Sequence, residues 1–205
     1  NTIVFVYNGY PTPYNVRQEI FLSFIVQEGN HIESGQWNLT LIPRNIRNGE
    51  YQMWLPVSLG SNQETRFLEP DKEFTLTIPS TAENVISAGA YDVRYQSYAD
   101  FSGRGDQRYG VKKPDLVAPG VGILAAAPGG GENSLSGTSM ATPFVTGAAA
   151  LLMEWGIVRG NDPFLYGEKV KAYLRRGARE LPGFEKYPNR EVGYGALCLE
   201  NSFPK

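Results

Sequence analysis

Gly137-Thr138-Ser139-Met140-Ala141-Thr142-Pro143 joins a hydroxyl side chain to an apolar, alanine-rich run from Phe144 to Leu152. This pattern predicts a helix with Ser139 at its N-terminus. Unpaired N–H groups and the positive end of the helix dipole collect there. Those donors would stabilise an oxyanion forming beside Ser139, so the chemistry on offer is attack of a serine hydroxyl on an acyl group. The plainer role for the same serine is a helix N-cap, which serine often fills.

A serine hydroxyl needs a general base, and the base needs an orienting acid. His31 is the sole histidine. It sits in Gly29-Asn30-His31-Ile32-Glu33, which reads as a surface turn with no apolar helix after it. Other chemistries fit less well. Gly129-Gly130-Gly131 lacks the lysine and the strand of a phosphate loop. The serine is not framed as G-x-S-x-G. Cys198 is the single cysteine, which excludes an internal disulfide framework and a cysteine metal site. No cofactor or metal ligand set is expected. Loop carbonyls could hold a structural cation, but no position for one stands out.

The elements that must position Ser139 fall into two parts. With 205 residues, 41% of them hydrophobic, the chain has enough material for one or two cores. Its net charge of −2 gives no reason to expect nucleic acid. No apolar run reaches the roughly 20 residues of a bilayer span, and Met140 to Trp155 reads as a core helix. Residues 1–80 read as all-β. Ile3–Tyr7 and Glu19–Val26 are β-branched and aromatic runs. Trp37, Leu39 and Leu41, then Tyr51, Met53 and Leu55, then Phe74, Leu76 and Ile78 alternate with less buried positions. Asn48-Gly49, after Arg47, suits a tight hairpin turn. Together these suggest a β-sandwich, part of a jelly roll. Exposed aromatics such as Tyr10 and Trp54 would also suit sugar binding, although core or interface is their commoner use.

Residues 81–205 read as α/β. Asn84–Tyr91 is nearly continuous apolar and small, as in a strand buried on both faces. Lys113–Gly120 and Val121–Ala127 add short strands. The helix after Ser139 is expected to end near Trp155 with Gly156 as its cap. Asp162-Pro163 is expected to open a second, amphipathic helix carrying Val170, Tyr173, Leu174, Ala178 and Leu181 on its apolar face.

Gly137–Pro143 is similar to the nucleophile motif of the subtilisin-like serine peptidases, G-T-S-M-A-x-P. The resemblance runs on through collinear segments. Asn84–Asp92 is similar to V-I-x-V-G-A-x-D, Ala99–Gly105 to A-x-F-S-x-x-G, and Lys113–Gly120 to K-P-D-x-x-A-P-G. Gly193–Leu197 is similar to the closing G-x-G strand. It implies Ser139 as the nucleophile and as an oxyanion donor through its N–H. It also implies Thr138 as support for the oxyanion hole, Gly137 as the sharp approach, Met140 beside the active site and Pro143 inside the first turns of the helix. The family's D-[ST]-G and H-G-T-x-V-A-G motifs and its oxyanion asparagine have no counterpart here; Gly29-Asn30 echoes the last only superficially.

The β-rich segment placed before Asn84 resembles the clostridial germination (Csp-like) branch, which carries a jelly-roll insertion at that point. The resemblance therefore implies the C-terminal part of a longer peptidase: a β-sandwich (jelly-roll-like) insertion at 1–80, then the C-terminal part of a parallel-sheet α/β domain at 81–205. Its partners would be a peptide or protein substrate and the N-terminal part of the peptidase domain. The isolated chain is expected to be inactive, and to oligomerise through exposed sheet edges. An extracellular or spore and cell-envelope setting is implied by the same branch. The rival reading is a pseudoprotease or binding module acting through its β-sandwich.

Overall fold

The computed structural model describes residues 2–13, 16–29, 31–46, 48–55, 64–106 and 112–204. Asn30 and Arg47 lie outside the described residues. The chain forms two compact units, Asn1–Gln52 and Met53–Lys205. The composition shift near Pro79 lies within the second.

In the first unit, β1 (Thr2–Gly9) pairs antiparallel with β2 (Glu19–Val26) in the register Thr2↔Val26 to Gly9↔Glu19. Alternation puts Ile3, Phe5, Tyr7, Phe21 and Ile25 on one face, where each is 45–55% exposed. Phe24 stacks edge-on against Trp37, with centroids 5.0 Å apart, and the Trp37 indole N–H donates to the Glu33 carbonyl at 3.3 Å.

The other expected β segments differ. Trp37–Leu41, Tyr51–Leu55 and Phe74–Ile78 form no ladder, so among the described residues the β-rich part holds one hairpin rather than a sandwich. Period-two patterning prepares a strand but supplies no partner. Here both kinds of position stay open, with Leu39 at 48% and Tyr51 at 71% exposed. Asn48 instead accepts the Glu50 N–H on its own side chain at 3.0 Å. Gly49 does not take the positive φ that the hairpin turn would require.

The second unit is built on a mixed sheet ordered β4-β3-β5. Parallel β3 (Ala88–Asp92) and β5 (Leu116–Pro119) run side by side in the register Ala88↔Leu116 to Tyr91↔Pro119, and β4 (Ser97–Tyr98) turns back on β3. Both central strands are buried on both faces, as their apolar runs predict. Past β5, the expected closing strand is reduced to bridges of Ala196 with Val117 and Arg179. An antiparallel hairpin, β6 (Ile123–Ala126) and β7 (Glu132–Leu135), leads into α1 (Thr138–Met153).

Helix α1 packs Ala141, Val145, Ala148 and Leu152 onto β3 and β5, beside Val170 and Leu174 of α2 (Gly167–Gly177). The far face of the sheet carries Tyr91, Val117, Leu181, Val192 and Ala196. The helical path continues from α1 through a π-helical turn, Glu154–Val158. Thr138–Val158 is long and apolar enough to cross a bilayer by length and composition, but its inner stripe is spent on this core.

Two helix-boundary expectations are corrected. Gly156 is not the cap but a buried residue inside the π-helical turn, where a Cβ would meet Leu165 at 2.7 Å; the positive φ of 74° belongs to Gly160. Asp162 does not open α2. The helix starts at Gly167, after Tyr166, while the Asp162 carboxylate accepts from Lys169 at 2.6 Å and from the Tyr173 hydroxyl at 2.9 Å. The Lys169 hydrogen bond holds Asp162 below the usual carboxylate range. A carboxylate that can grip two side chains of the helix from outside gains more there than from capping one N–H.

Candidate active site

Ser139 stands in the first turn of α1, exposed, with Thr138 before it and Gly137 at the N-cap. The N-cap is therefore a glycine, and no side chain caps this helix. Among the described residues the Ser139 hydroxyl takes no partner, so the structural role that competes with nucleophilicity is not the one it fills. The Gly137 carbonyl accepts from Met140 at 3.0 Å and Ala141 at 3.3 Å. The N–H groups of Thr138 and Ser139 precede that pattern and belong to the orphan donors of the helix start. They lie beside the hydroxyl and at the positive end of the dipole, an arrangement suited to a developing oxyanion.

Pro143 sits inside the helix, as expected. It has no N–H to give the Ser139 carbonyl, which loosens the first turn. Thr142 and Thr146 compensate along this stretch, donating their hydroxyls back to the Thr138 and Thr142 carbonyls at 3.0 and 3.2 Å. Met140 is half-buried, with its sulfur 3.4 Å from where a Cβ on Gly137 would lie. The turn before Ser139 is thus lined by sulfur and backbone rather than by charge.

The start of α1 is held to the core strands by backbone bonds. Gly120 follows β5. Its N–H donates to the Tyr91 carbonyl at 3.1 Å and its carbonyl accepts the Gly137 N–H at 2.8 Å. A Cβ on Gly120 would lie 2.5 Å from the Ala90 Cβ and 2.9 Å from the Gly137 oxygen, so only glycine permits this approach. Gly137 itself has φ 158° and ψ 162°, a setting glycine adopts readily. Nothing in the sequence pattern of Gly120 alone distinguishes it from the other turn glycines.

A second feature lies at the opposite, N-terminal end of β5. Asp115 is fully buried. It accepts the Ser87 N–H at 2.6 Å, the Lys113 ammonium at 2.8 Å and the Arg175 Nε at 2.8 Å, and Arg175 Nη2 also bonds it. Lys171 lies 3.7 Å away. Lys113 also donates to the Val85 carbonyl at 2.5 Å, and Lys171 to the Glu83 carbonyl. Burial pushes the Lys171 amine below its ordinary range, against the pull of Asp115. The cluster locks α2 to the sheet on which α1 packs, and is a structural rather than a reacting group. The Lys-Pro-Asp segment signalled it, but Lys171 and Arg175 are recognisable only once α2 is placed.

The A-x-F-S segment has a similar supporting role. The buried Ser102 hydroxyl accepts the Ala90 N–H at 2.9 Å, and the Ser102 carbonyl accepts from the Tyr98 hydroxyl. His31, the only imidazole, is exposed in the first unit and has no place in the unit that holds Ser139.

Comparison with known proteins agrees with this geometry. The profile of the subtilase family matches residues 36–195. The serine protease AprX of Bacillus subtilis is 34% identical over 155 residues, covering 66% of this chain and 33% of that protein. The human membrane-bound transcription factor site-1 protease is 35% identical over 135 residues, covering 63% of this chain and 12% of that protein. The solved structure of the Clostridium perfringens CspB protease superposes with a TM-score of 0.77 at 42% identity, covering 97% of this chain and 41% of that one. The chain thus spans a third or less of the two curated relatives, and with the subtilase profile matched over most of its length and a subtilase-like α/β core it belongs to the subtilase family.

Proposed function

We propose that this chain is the nucleophile-bearing, C-terminal part of a serine endopeptidase that cleaves peptide bonds through an acyl-enzyme on Ser139. The observation that carries the reading is the exposed, uncapped Ser139 hydroxyl beside the orphan N–H groups of Thr138 and Ser139 at the start of α1. In this mechanism Ser139 Oγ attacks the substrate carbonyl, and the Ser139 N–H donates to the resulting oxyanion. Thr138 shapes the preceding turn. A histidine outside this chain takes the serine proton and returns it to the leaving amine, and an aspartate orients that histidine. The β-rich segment ahead of β3 belongs to a jelly-roll-like domain inserted in the peptidase, and the setting is extracellular or cell-envelope. The likeness to the CspB protease over nearly the whole chain supports the peptidase reading.

A fluorophosphonate probe tests the division of labour. It is expected to leave Ser139 unlabelled in the isolated chain and to label it in the full-length protein, with labelling lost in Ser139→Ala. Rapid labelling of the isolated chain would overturn the need for an external base. No labelling of the full-length protein would overturn the peptidase reading itself.

The isolated chain is also expected to associate. The apolar face of β1 and β2, with Phe5 52% and Phe21 55% exposed, is a patch that water disfavours. Sedimentation should show species heavier than the 22.7 kDa chain. A single sharp monomer boundary would contradict this.

A further inference from the structure

Between β7 and α1 only Ser136 and Gly137 connect the hairpin to the helix. The Gly137 backbone is tied to Gly120, as described above. Ser136 supplies a second tie of a different kind. Its Oγ accepts the Gly122 N–H at 2.9 Å. Gly122 lies on the turn from β5 to β6 with φ 63°, a conformation that aims its N–H out of any ladder. The two turns that flank the β6–β7 hairpin are therefore cross-braced at Gly120–Gly137 and at Gly122–Ser136. Two backbone hydrogen bonds run from the Tyr91 carbonyl on β3 through Gly120 to Gly137, and the Gly122–Ser136 bond stands beside them as a separate tie. Of these ties only the one at Ser136 is made through a side chain.

The bond is exposed to solvent. Water can therefore replace the Ser136 hydroxyl as a partner for Gly122 with little loss of stability. Water cannot replace the mechanical link. Without it the two residues between the last ladder pair, Ile123↔Leu135, and α1 are held by the Gly137–Gly120 bond, through a glycine with wide conformational freedom. The groups that would suffer are the next ones along, the Thr138 and Ser139 N–H donors and the Ser139 hydroxyl, whose placement within a fraction of an ångström sets the rate of attack.

We infer that Ser136 is a positioning residue for the nucleophile: its hydroxyl braces the turn before Ser139 against the β5–β6 turn, so that it acts on acylation rate and not on substrate binding. This rests on the peptidase reading of Ser139. The test uses the full-length protein. The second-order rate of fluorophosphonate labelling, kcat and KM on a peptide substrate, and Tm are measured for wild type, Ser136→Ala and Ser136→Thr. Ser136→Ala is expected to lower both the labelling rate and kcat about tenfold. KM should hold, and Tm should stay within about 2 °C. Ser136→Thr, which keeps the hydroxyl, should recover most of the rate. The inference is overturned if Ser136→Ala labels at the wild-type rate. It is equally overturned if its loss appears in KM, or if Ser136→Thr is as slow as Ser136→Ala at unchanged Tm. Failure of the wild-type protein to label at all would strike the peptidase reading instead, so the two failures are told apart.

Discussion

Asp115→Asn should destabilise the second unit by about 3–5 kcal/mol, the usual cost of breaking a buried ion pair from one side. The wild-type carboxylate is fully buried and answers Lys113 and Arg175 through direct hydrogen bonds, with Lys171 close by. Asparagine fills the same space but removes the countercharge that those cations share among the described residues. The expected result is a large fall in the urea midpoint of this chain, followed by helical circular dichroism, since the described helices all belong to the second unit. A change below about 1 kcal/mol would mean that the cluster is not a lock.

Lys171 provides the internal control. Its amine is held below its ordinary range chiefly by burial. Below its folded pKa, charging this amine in the fold is a standing cost. As pH rises from the folded pKa toward the ordinary lysine value of about 10.4, the unfolded chain binds more proton than the folded one, and stability rises through that window. Wild type minus Lys171→Met should show this rise. Lys171→Met should itself be neutral or stabilising at neutral pH, in contrast to Asp115→Asn.

The second large effect is expected at Gly120. Gly120→Val places carbon where Ala90 and the Gly137 carbonyl already stand, at 2.5 and 2.9 Å from the Cβ. Both neighbours belong to rigid elements, β3 and the start of α1, so the strain cannot be released by a rotamer change. Overpacking of this kind costs about 1–3 kcal/mol. The functional cost should be larger, because the turn into α1 is displaced as a whole. A displacement near an ångström is worth about 100-fold in rate. In the full-length protein, Gly120→Val should lower the fluorophosphonate labelling rate by about that factor. Labelling at the wild-type rate would show that Ser139 is placed independently of β5.

The buried strands β3 and β5, the helix α1 and the place of Ser139 at its start are legible because each leaves a dense local signal. Ser139 is framed by a glycine turn and an apolar helix, and β3 and β5 are short runs with no polar face. The errors came where a residue's partner is remote. Trp37, Leu39 and Leu41 alternate as a strand should, yet pairing depends on a neighbour that sequence pattern cannot name. Asp162 looks like a cap because Pro163 follows it, and is claimed instead by Lys169 and Tyr173 in the first and second turns of α2. Lys171 and Arg175 read as the solvent face of an amphipathic helix. They are drawn inward by Asp115, which lies 60 positions from Arg175 in the chain. Gly120 acts through two backbone bonds and Ser136 through one side-chain bond, and neither leaves a periodic trace.

The bridges of Ala196 with Val117 and Arg179 bear on how the molecule comes into being during translation. Synthesis proceeds from the N-terminus, so β3, β5 and α1 all leave the ribosome before the segment that flanks β5. Until Gly195–Leu197 arrives, one edge of β5 has no hydrogen-bonding neighbour, and Val117 lacks the acceptor and donor it finds at Gly195 and Leu197. Contacts so far apart in sequence form late, because the intervening chain must first be ordered. The strand beneath the serine turn thus gains its second hydrogen-bonding neighbour only once Gly195–Leu197 has been made. Until then α1 packs on a sheet with one open edge.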